Sequence, residues 1–441
     1  MRILLAIENE ALATLITRAL SRFNYEWVCV DNGLDAFQKA ITTRFDLLLL
    51  NYDLPRMNGS EVLRRCGSIE NYKLPPVIVL TASENERHRV EGEHFPRTLV
   101  ISRPIAIRRF VSTVQQALNQ NVRLACLGGG TGLFTLLSGL KTLVGLTLSS
   151  IVSMSDDGGS TGRLRHIFGI LPPGDVRRSL VALSTAPDLL NELMQYRFEK
   201  GAGLEGHNLG NLLLTALHEI RGSMVDSVKS LGEILNIQGQ VIPVTETVNT
   251  LHAELANGQV VKGESHIGLF DELHSVSPIQ RIWQEPPALA NPDAIEALFN
   301  AKYIILGPGD LFTSIIVNLI VDGIRDAIVS SRAKKIYICN VMTKPGETMD
   351  YQISDHIREI VRYLGSDVLD YVICSATEFS SESLAAYAKQ NQYPVMEKNR
   401  EKISAVTKAE VLFEDVASET VLVRHDSLKL ATAVKKIIEK S

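Results

Sequence analysis

The stretch "VRLACLGGGTGLFTLLSGL" (residues 122–140) begins with an apolar run, passes through a glycine cluster and continues with leucines at helical spacing. The apolar run is typical of a buried strand, and the leucines predict a helix. A glycine loop between a strand and a helix brings backbone N–H groups and a helix N-terminus to one point, where they can bind phosphate. The stretch therefore predicts the first strand of an α/β domain and a candidate anion site.

Taken alone, this glycine loop is not specific. The dinucleotide pattern GxGxxG needs glycine at position 133, which is Leu133, and the Walker pattern fails because Leu140 separates its glycine and lysine. A tight structural turn is therefore the alternative to a phosphate loop. The candidate ligand contacts in the loop are Gly129, Gly130, Thr131 and Gly132.

A second apolar strand, "LTLSSIVSM" (146–154), runs directly into two adjacent aspartates in a glycine-rich segment. Ligands bind open α/β sheets at the carboxyl ends of their strands, so both loops belong at one edge. An aspartate there can accept hydrogen bonds from ribose or base, or hold a metal ion, and arginines can neutralise phosphate. The candidates are Ser155, Asp156, Asp157, Gly159, Ser160, Arg163 and Arg165, with Asp156 also the candidate metal ligand.

The segment "ILPPGDVRRSL" (170–180) follows with a rigid Pro-Pro-Gly turn. Asp175 lies where it could cap a helix running on from Val176. A contact with the predicted ligand is the alternative, and both readings remain open at this point.

Three later stretches add candidate contacts: one at a predicted helix start, one that repeats strand, glycine turn and helix, and one at a further strand end. They are "EGHNLGNLLLTAL" (205–217), "AKYIILGPGDLFTSIIVNLI" (301–320) and "NVMTKPGET" (340–348). A histidine among glycines can contact a ligand or serve as a satisfied structural residue. The candidate contacts from these stretches are His207, Asn208, Asn211, Gly307, Gly309, Thr313, Asn340 and Thr343.

Taken together, the motifs resemble the bacterial gluconeogenesis-factor family, which shares its fold with 2-phospho-L-lactate transferase, an enzyme of coenzyme F420 biosynthesis. The matching motifs are "LGGGTGL", "SDDGGSTGRLR", "LPPGDVRRSLVALS", "GHNLGNLLLTAL", "LGPGDLFTSI", "NVMTKPGET" and "RHDSLKLA", in order from residue 122 to 430. The resemblance implies a Rossmann-like, mainly parallel sheet with a site built from strand-end loops. It also implies binding of a UDP-sugar such as UDP-N-acetylglucosamine and a role in carbon use and cell shape.

The chain departs from that family's usual pattern at three positions. It has Arg178, Asp310 and Lys344 where the family usually has asparagine, serine and glutamine. Arg178 could add a phosphate contact. Asp310 adds a negative charge to a predicted anion-binding turn, unless it faces a metal or an arginine.

The first hundred and twenty residues alternate short apolar runs with amphipathic stretches. The runs at 2–7, 45–51, 76–82 and 98–102 predict buried parallel strands, and segments such as 10–22 and 105–118 predict covering helices. This pattern indicates a flavodoxin-like domain. The segment also resembles the receiver domain of response regulators through "LLLLNYDLPRMNG", "VIVLTAS" and "SRPI". We therefore expect a receiver-type domain at 1–120 and a nucleotide-binding domain at 121–441.

The receiver resemblance fails at the residues that carry phosphoryl chemistry. The phosphoacceptor position, four residues before Pro55, is Asn51, and an amide cannot form an acyl phosphate. The magnesium-binding acidic pair falls at Ile7 and Glu8, or includes Glu10 if the alignment slips by one, and the usual lysine is Arg103. Asp53 is the alternative acceptor, but it lies two residues past the strand end and would need a rebuilt site. The sequence therefore predicts a pseudo-receiver, inactive at Asn51, that serves as a docking or dimerising domain for a protein partner.

Composition limits the function classes. The 441 residues are 45% hydrophobic and 22% charged, with a net charge of −5, so neither nucleic acid nor membrane is an expected partner. The five cysteines lie far apart without a CxxC pair, which predicts a reducing, cytoplasmic setting rather than disulfides or zinc. The last residues predict an amphipathic helix whose apolar face packs on the protein.

Two functions stay open from the sequence. The first is a regulatory protein that binds a nucleotide sugar. The second is a transferase that moves a phospholactyl group to a deazaflavin, with Mg²⁺ as the one cofactor left open. A deazaflavin needs a wide aromatic cleft, and the chain is only 6% aromatic, which favours the binding protein.

Overall fold

A computed structural model describes residues 1–69, 72–93, 95, 97–118, 121–143, 145–267, 277–419 and 423–440. The chain forms two compact units. The first consists of Met1–Asn121 with Val144–Leu146, and the second of Val122–Leu143 with Thr147–Ser441.

The first unit contains one parallel sheet in the strand order β2-β1-β3-β4-β5, which confirms the expected flavodoxin-like arrangement. Its strands are β1 (Arg2–Ala6), β2 (Glu26–Val30), β3 (Leu47–Asn51), β4 (Val77–Thr81) and β5 (Thr98–Ser102). Its helices are α1 (Glu10–Ala19), α2 (Gly33–Thr42), α3 (Gly59–Gly67), α4 (Glu84–Gly92) and α5 (Ile107–Ala117).

The apolar runs of this sheet are continuous because both faces are buried. Leu48 and Leu50 of β3 lie in one hydrophobic cluster, whereas Leu47 and Leu49 lie in the other. Alternation along the strand sends successive side chains to opposite faces, so every residue of the run finds apolar neighbours. The edge strand β2 is only partly buried, and its mixed residues explain why the sequence pattern did not reveal it.

The second unit is built on a seven-stranded sheet in the order β15-β14-β13-β12-β6-β7-β8. The pairs with described registers, such as β6 with β12 and β7 with β8, are parallel. Chain order reverses between β6 and β12, which makes that position the topological switch point, where open α/β sheets bind ligands. The strands are β6 (Val122–Gly128), β7 (Leu146–Val152), β8 (Gln240–Pro243), β12 (Tyr303–Leu306), β13 (Lys334–Ile338), β14 (Tyr371–Ser375) and β15 (Glu410–Glu414).

Helices surround this sheet, and two small antiparallel sheets extend from it. The sheets are β9 (Thr250–Leu255), β10 (Val260–Lys262) and β11 (Ile279–Glu285), and β16 (Ala417–Glu419) with β17 (Val423–His425). The helices are α6 (Gly130–Leu140), α7 (Gly159–Phe168), α8 (Pro173–Leu183), α9 (Asp188–Gln195), α10 (Leu209–Arg221), α11 (Met224–Ile234), α12 (Glu264–Ile267), α13 (Pro292–Asn300), α14 (Val317–Leu319), α15 (Ile324–Ser330), α16 (Ile353–Leu364), α17 (Ser381–Ala388), α18 (Arg400–Val406) and α19 (Ser427–Lys440), with a π-helical segment at Leu311–Ile316.

The terminal helix α19 packs against α6, as the amphipathic pattern predicted. It buries Leu430, Val434 and Ile437, and Gly139 of α6 lies directly against the carbonyl group of Ser427. Within the described ranges, no helix combines the length and the apolar character that crossing a membrane would require.

Candidate functional site

Two glycine-containing turns meet at the switch point of the larger sheet. One follows β6 at residues 129–132, and the other follows β12 at residues 307–310. A Cβ atom on Gly132 would lie 2.3 Å from the carbonyl oxygen of Pro308, so only glycine permits this approach of two backbones. Gly130 and Gly307 adopt φ angles of +61° and +83°, which other residues rarely take. The glycines therefore bring both turns to one edge of the sheet.

A cleft of about 570 Å³ opens between these turns and the neighbouring strand ends, and we call it the strand-end cleft. Its volume falls in the range of small-molecule sites. Eight of the residues predicted as ligand contacts line it: Gly129, Gly130, Thr131, Gly132, Asp156, Gly309, Asn340 and Thr343. Asp175 and Arg178, which the sequence left open as contacts, also line it, as do residues without a predicted contact, among them Glu264, Asp310, Lys344, Tyr387, Arg424 and His425.

Asp175 connects the first glycine turn to the end of β7. Its Oδ2 accepts hydrogen bonds from Gly130 N (2.8 Å) and Ser153 Oγ (3.4 Å), and its Oδ1 accepts one from Arg178 (3.3 Å). Helix α8 begins at Pro173 with Pro172 as its N-cap residue and no side-chain capping bond, so the capping alternative for Asp175 is wrong. Burial raises the pKa of the Asp175 carboxyl, and repulsion by Asp156 adds to this effect.

The adjacent aspartates of the sequence motif face different partners. Asp156 lines the cleft, and its Oδ1 accepts a hydrogen bond from Gly158 N at 2.9 Å. Asp157 Oδ1 accepts from Ser265 N at 2.9 Å, so its carboxylate is directed to the start of α12. The two carboxylates therefore have different hydrogen-bond partners, although both repel Glu264.

Helix α12 places one further carboxylate, that of Glu264, on the cleft. Burial raises the pKa of Glu264 well above its usual value, and Asp175 and Asp156 raise it further by repulsion. Such oxygen donors suit Mg²⁺ in chemical type. Among the residues that the structure describes, however, no three His, Cys, Asp or Glu side chains form a group that could hold a metal ion, so Asp156 has no such partners for a metal.

Asp310 and Lys344, two of the departures from the family pattern, form an ion pair on the cleft. Lys344 Nζ lies 2.5 Å from Asp310 Oδ2 and 2.7 Å from Glu347 Oε1. The negative charge that Asp310 adds to its turn is thus balanced by a lysine. The flanking carboxylates raise the pKa of Lys344, although burial opposes them, and Lys344 therefore remains charged.

The helix after the second turn is capped by a buried carboxylate. Glu347 is 2% exposed, and its oxygens accept hydrogen bonds from Phe312 N (3.1 Å), Thr313 N (3.3 Å) and Thr313 Oγ1 (2.8 Å). Thr313 and Gly307 do not line the cleft. The expected anion-binding helix start is therefore filled from within the protein, a feature that the sequence could not reveal because Glu347 is remote in the chain.

Asn340 and Thr343 reach the cleft from the end of β13. Asn340 Nδ2 donates to the carbonyl oxygen of Gly309 (2.8 Å), and its Oδ1 has no hydrogen-bond partner within the described chain. Thr343 Oγ1 accepts from Tyr393 N (2.9 Å). Asn340 therefore ties the β13 end to the second turn.

A second group of predicted residues gathers away from the cleft lining. Ser160 Oγ lies 3.2 Å from His207 Nδ1, and it accepts hydrogen bonds from Asn208 N (3.3 Å) and Asn211 Nδ2 (3.4 Å). Asn208 also caps α10 by accepting from Asn211 N. These four side chains are buried and hold the starts of α7 and α10 together.

The remaining predicted residues belong to α7 or precede it. Ser155 is buried, and its Oγ has no partner within the described chain. Gly159 begins α7 with a φ of +46°. Arg163 donates to Glu205 O (2.9 Å), and Arg165 donates to Asn249 O, which fastens this helix to the segment before β9.

In the receiver unit, the polar side chains near the end of β3 are hydrogen-bonded within the domain. Arg103 donates to Asn51 Oδ1 (2.9 Å), and Asn51 Nδ2 donates to the carbonyl oxygen of Asp53 (2.8 Å). Thr81 Oγ1 lies 3.2 Å from Ser102 Oγ. Both functional groups of the Asn51 amide are thus engaged within the domain.

Comparison with known proteins places both units. Residues 124–416 match the family model of 2-phospho-L-lactate transferase CofD, and residues 3–115 match the response regulator receiver domain. A Nostoc relative is 45% identical over 74% of this chain and 71% of its own length. The Bacillus subtilis gluconeogenesis factor is 37% identical over 73% of this chain and 100% of its own length.

A solved structure gives the same result for the larger unit. A member of the UPF0052 family from Bacillus halodurans is 39% identical, with a TM-score of 0.67 over 71% of this chain and 99% of its own. The glycine turns, the strand-end acids and these matches lead to one conclusion: the chain belongs to the gluconeogenesis-factor family, with a CofD-type domain and an N-terminal receiver domain.

Proposed function

We propose that the strand-end cleft binds a nucleotide sugar of the UDP-N-acetylglucosamine type, and that the protein acts as a regulator in carbon use and cell shape. The observation that carries the proposal is the contact between the turns after β6 and β12 at Gly132 and Pro308. It forms a site at the sheet's switch point, beside the N-terminus of α6, which has no side-chain cap.

The charges on the cleft suit a ligand with both a diphosphate and hydroxyl groups. Arg178 and Arg424 line it and can neutralise phosphate oxygens, whereas Lys344 is already paired with Asp310 and Glu347. Asp156 and Glu264 lie on the same cleft and can accept hydrogen bonds from the hydroxyl groups of a ribose or a sugar. A nucleotide sugar contains both kinds of group, which supports this ligand class.

The transferase alternative needs an acceptor pocket for a deazaflavin. Tyr387 is the one Phe, Tyr or Trp among the described residues that line the cleft. Of the other aromatic residues near the motifs, Phe168 on α7 is 46% exposed, whereas Tyr303 and Phe312 are fully buried in the core. Stacking surface for a tricyclic ring is therefore scarce, and we favour the binding protein.

The regulatory part of the proposal extends to partners. We infer that the pseudo-receiver serves as the docking or dimerising domain, since both groups of its Asn51 amide are already engaged. The proposed setting is the cytoplasm, and neither nucleic acid nor membrane is a proposed partner.

Calorimetric titration of the full chain tests the ligand class. The ligands are UDP-N-acetylglucosamine, UDP-glucose, GTP and a deazaflavin, each with and without Mg²⁺. We expect micromolar binding of a UDP-sugar, weakened at least tenfold by Asp156→Asn and unchanged by Asp326→Asn, an exposed aspartate on α15. Binding of only GTP and the deazaflavin, and only with Mg²⁺, would replace the proposal with phospholactyl transfer.

A further inference from the structure

A cluster of cationic side chains surrounds the start of α10 and contributes nothing to the lining of the strand-end cleft. It consists of Arg163, Arg177, Arg197 and His207, and we call it the arginine cluster. Arg163 and Arg197 donate to the successive carbonyl oxygens of Glu205 and Gly206, just before His207. Their charges lower the pKa of His207, in addition to the larger effect of burial.

Arg177 reaches this cluster from α8 and is only 8% exposed. Its side chain packs against Gly210, where a Cβ atom would lie 2.8 Å from Arg177 Cδ. Its one described hydrogen bond is long, from Nη1 to Met194 O at 3.4 Å, and its buried Nε has no partner within the described chain. A buried guanidinium with unused donors is costly unless an acceptor completes it.

The charge of the cluster is not neutralised within the described residues. All described hydrogen bonds of the three guanidinium groups end on carbonyl oxygens and none on a carboxylate. Burial lowers the pKa of Arg177 to about 10, and repulsion by Arg178 and Arg197 exceeds the attraction of Asp175 and Asp156. Such concentrated positive charge is stabilised when an anion binds.

The hydrogen bonds around Ser160 favour one tautomer of His207. Ser160 Oγ already accepts from Asn208 N and Asn211 Nδ2, so its own proton is available to His207 Nδ1. His207 is then the neutral tautomer that carries its proton on Nε2. That N–H is a donor outside the Ser160 network, next to the charges of Arg163 and Arg197.

We propose that the arginine cluster is a second anion site for a tetrahedral dianion such as phosphate, formed by the three guanidinium groups and the Nε2–H of His207. The anion can be free phosphate or the phosphoryl end of a phosphorylated small molecule. This site is separate from the strand-end cleft and does not depend on the ligand proposed there.

Phosphate titrations of the full chain test the site. Inorganic phosphate, glucose 6-phosphate and sulfate are titrated by calorimetry at constant ionic strength, because screening by salt would mask the contact. Because every group of the proposed site donates and none accepts, we expect sulfate to bind about as tightly as inorganic phosphate. Tighter binding of glucose 6-phosphate than of phosphate assigns the site to a phosphorylated metabolite, and the reverse assigns it to the free ion.

Variants at exposed positions keep the test independent of folding. The double variant Arg163→Gln/Arg197→Gln should weaken phosphate binding at least tenfold and leave UDP-N-acetylglucosamine binding within twofold. Arg332→Gln, at an exposed arginine before β13, is the matched control. Arg177→Lys should weaken phosphate binding similarly, since one ammonium cannot replace the guanidinium fork.

Two results would overturn the proposal. The first is phosphate binding that is absent, or that is unchanged in the double variant. The second is a double variant that loses phosphate and UDP-sugar binding together, because the cluster would then be part of the cleft. Failure of UDP-sugar binding alone would refute the function proposed for the cleft and leave the phosphate site standing.

Discussion

Both units are built on a parallel sheet with a potential site at the carboxyl ends of its strands, but the residues at that edge differ in charge and in hydrogen bonding. In the receiver unit, the end of β3 holds a neutral amide, Asn51, whose oxygen and nitrogen are both hydrogen-bonded within the domain. In the larger unit, the corresponding edge holds Asp175 and Glu264, whose pKa values are raised by burial and by repulsion between carboxylates. Parallel sheets provide the position of a site, but the residues at the strand ends decide whether it is used.

The contrast is one of satisfied against unsatisfied groups. At the phosphoacceptor position of the receiver unit, the neutral amide of Asn51 accepts a hydrogen bond from Arg103, so this position holds no unpaired carboxylate. The edge of the larger unit keeps acids close together, with an unpartnered Asn340 Oδ1 within the described chain. Neighbouring carboxylates and unpartnered polar atoms lower the stability of the folded protein until a ligand contacts them. Substitutions should therefore have large and condition-dependent effects in the larger unit and small effects in the receiver unit.

The largest expected effect comes from Glu347→Ala. The change removes the acceptor of Phe312 N and of the Thr313 N–H and hydroxyl groups, and it takes one of two carboxylates from Lys344. Breaking a buried, hydrogen-bonded ion pair typically costs about 3–5 kcal/mol. We expect the low end, about 3 kcal/mol, because Asp310 still pairs with Lys344. Calorimetric unfolding of the full chain measures it.

The matched variant in the receiver unit is Glu61→Ala. Glu61 forms a pair with Arg65 on the surface of α3 at 2.6 Å. Exposed pairs of this kind contribute about 0.3–0.5 kcal/mol. Equal losses for both glutamate variants would contradict the proposed difference between the units.

Gly132→Ala should have the next largest effect, about 2 kcal/mol of destabilisation, as is usual for overpacking. The new Cβ would lie 2.3 Å from the Pro308 carbonyl oxygen. This oxygen belongs to the backbone, which cannot move aside as a flexible side chain could. The two turns must separate, so UDP-sugar binding should fall at least tenfold. Titration calorimetry and thermal unfolding measure the two effects.

The same substitution in the receiver unit should act in the opposite direction. Gly67 ends α3, and a Cβ atom added to it would meet no other atom within 4 Å, so Gly67→Ala should stabilise by about 0.5–1 kcal/mol. If Gly132→Ala leaves binding and stability unchanged, the close approach of the turns does not form the site.

Local patterns predicted β1, β3, β4 and β5 of the first sheet and β6, β7 and β12 of the second, because buried parallel strands are continuous apolar runs. They did not reveal β8, β14 and β15. The strands from Val122, Leu146 and Tyr303 begin or end within a few residues of the predicted bounds. The edge strand at Glu26–Val30 was missed because partial burial leaves no such run. The predicted strands were enough to indicate the fold class, although not every buried strand was recognised.

The site was predictable only where its residues follow strand ends. The glycine turns and Asn340 come from such positions. Glu264 and Glu347 do not, because each reaches its position through a long-range contact. Glu264 is brought to the cleft by the segment that contains β9. Glu347 accepts a hydrogen bond from the backbone of Thr313, which lies 34 residues earlier in the chain at the start of a helix. Nothing in local sequence reports which distant helix end a carboxylate will cap.

The pH dependence of stability distinguishes the two units further. The raised pKa of Glu264 means that the folded protein keeps a proton that the unfolded chain loses above about pH 4.5. Its contribution to stability is therefore full below that pH and is lost as the pH rises through the raised pKa. Glu264→Gln removes this loss, so the variant should gain about 2 °C in Tm over the parent at about pH 8 and nothing near pH 4.5.

Calorimetric scans between these pH values compare the parent with Glu264→Gln. A Glu264→Gln difference that is constant with pH would show that the carboxyl group titrates normally and that the acids on the cleft do not interact.

The smallest expected effect is that of Asn51→Asp, which restores the phosphoacceptor carboxylate. The new carboxylate would pair with Arg103, which already donates to this position, and stability should change by no more than about 0.5 kcal/mol. Incubation with acetyl phosphate and Mg²⁺, followed by intact-mass measurement, should show no phosphoryl transfer. The reason is that the acidic pair needed for Mg²⁺ has a buried isoleucine, Ile7, next to Glu8.

The triple variant Ile7→Asp/Asn51→Asp/Arg103→Lys supplies the missing groups and serves as the positive control. Its carboxylate oxygen would attack the phosphorus of acetyl phosphate, and acetate would leave. Phosphorylation of the triple variant alone would locate the defect in the metal site as well as in the acceptor. Phosphorylation of the parent would instead identify Asp53 as a substitute acceptor, and the receiver unit would then be a working switch rather than a closed one.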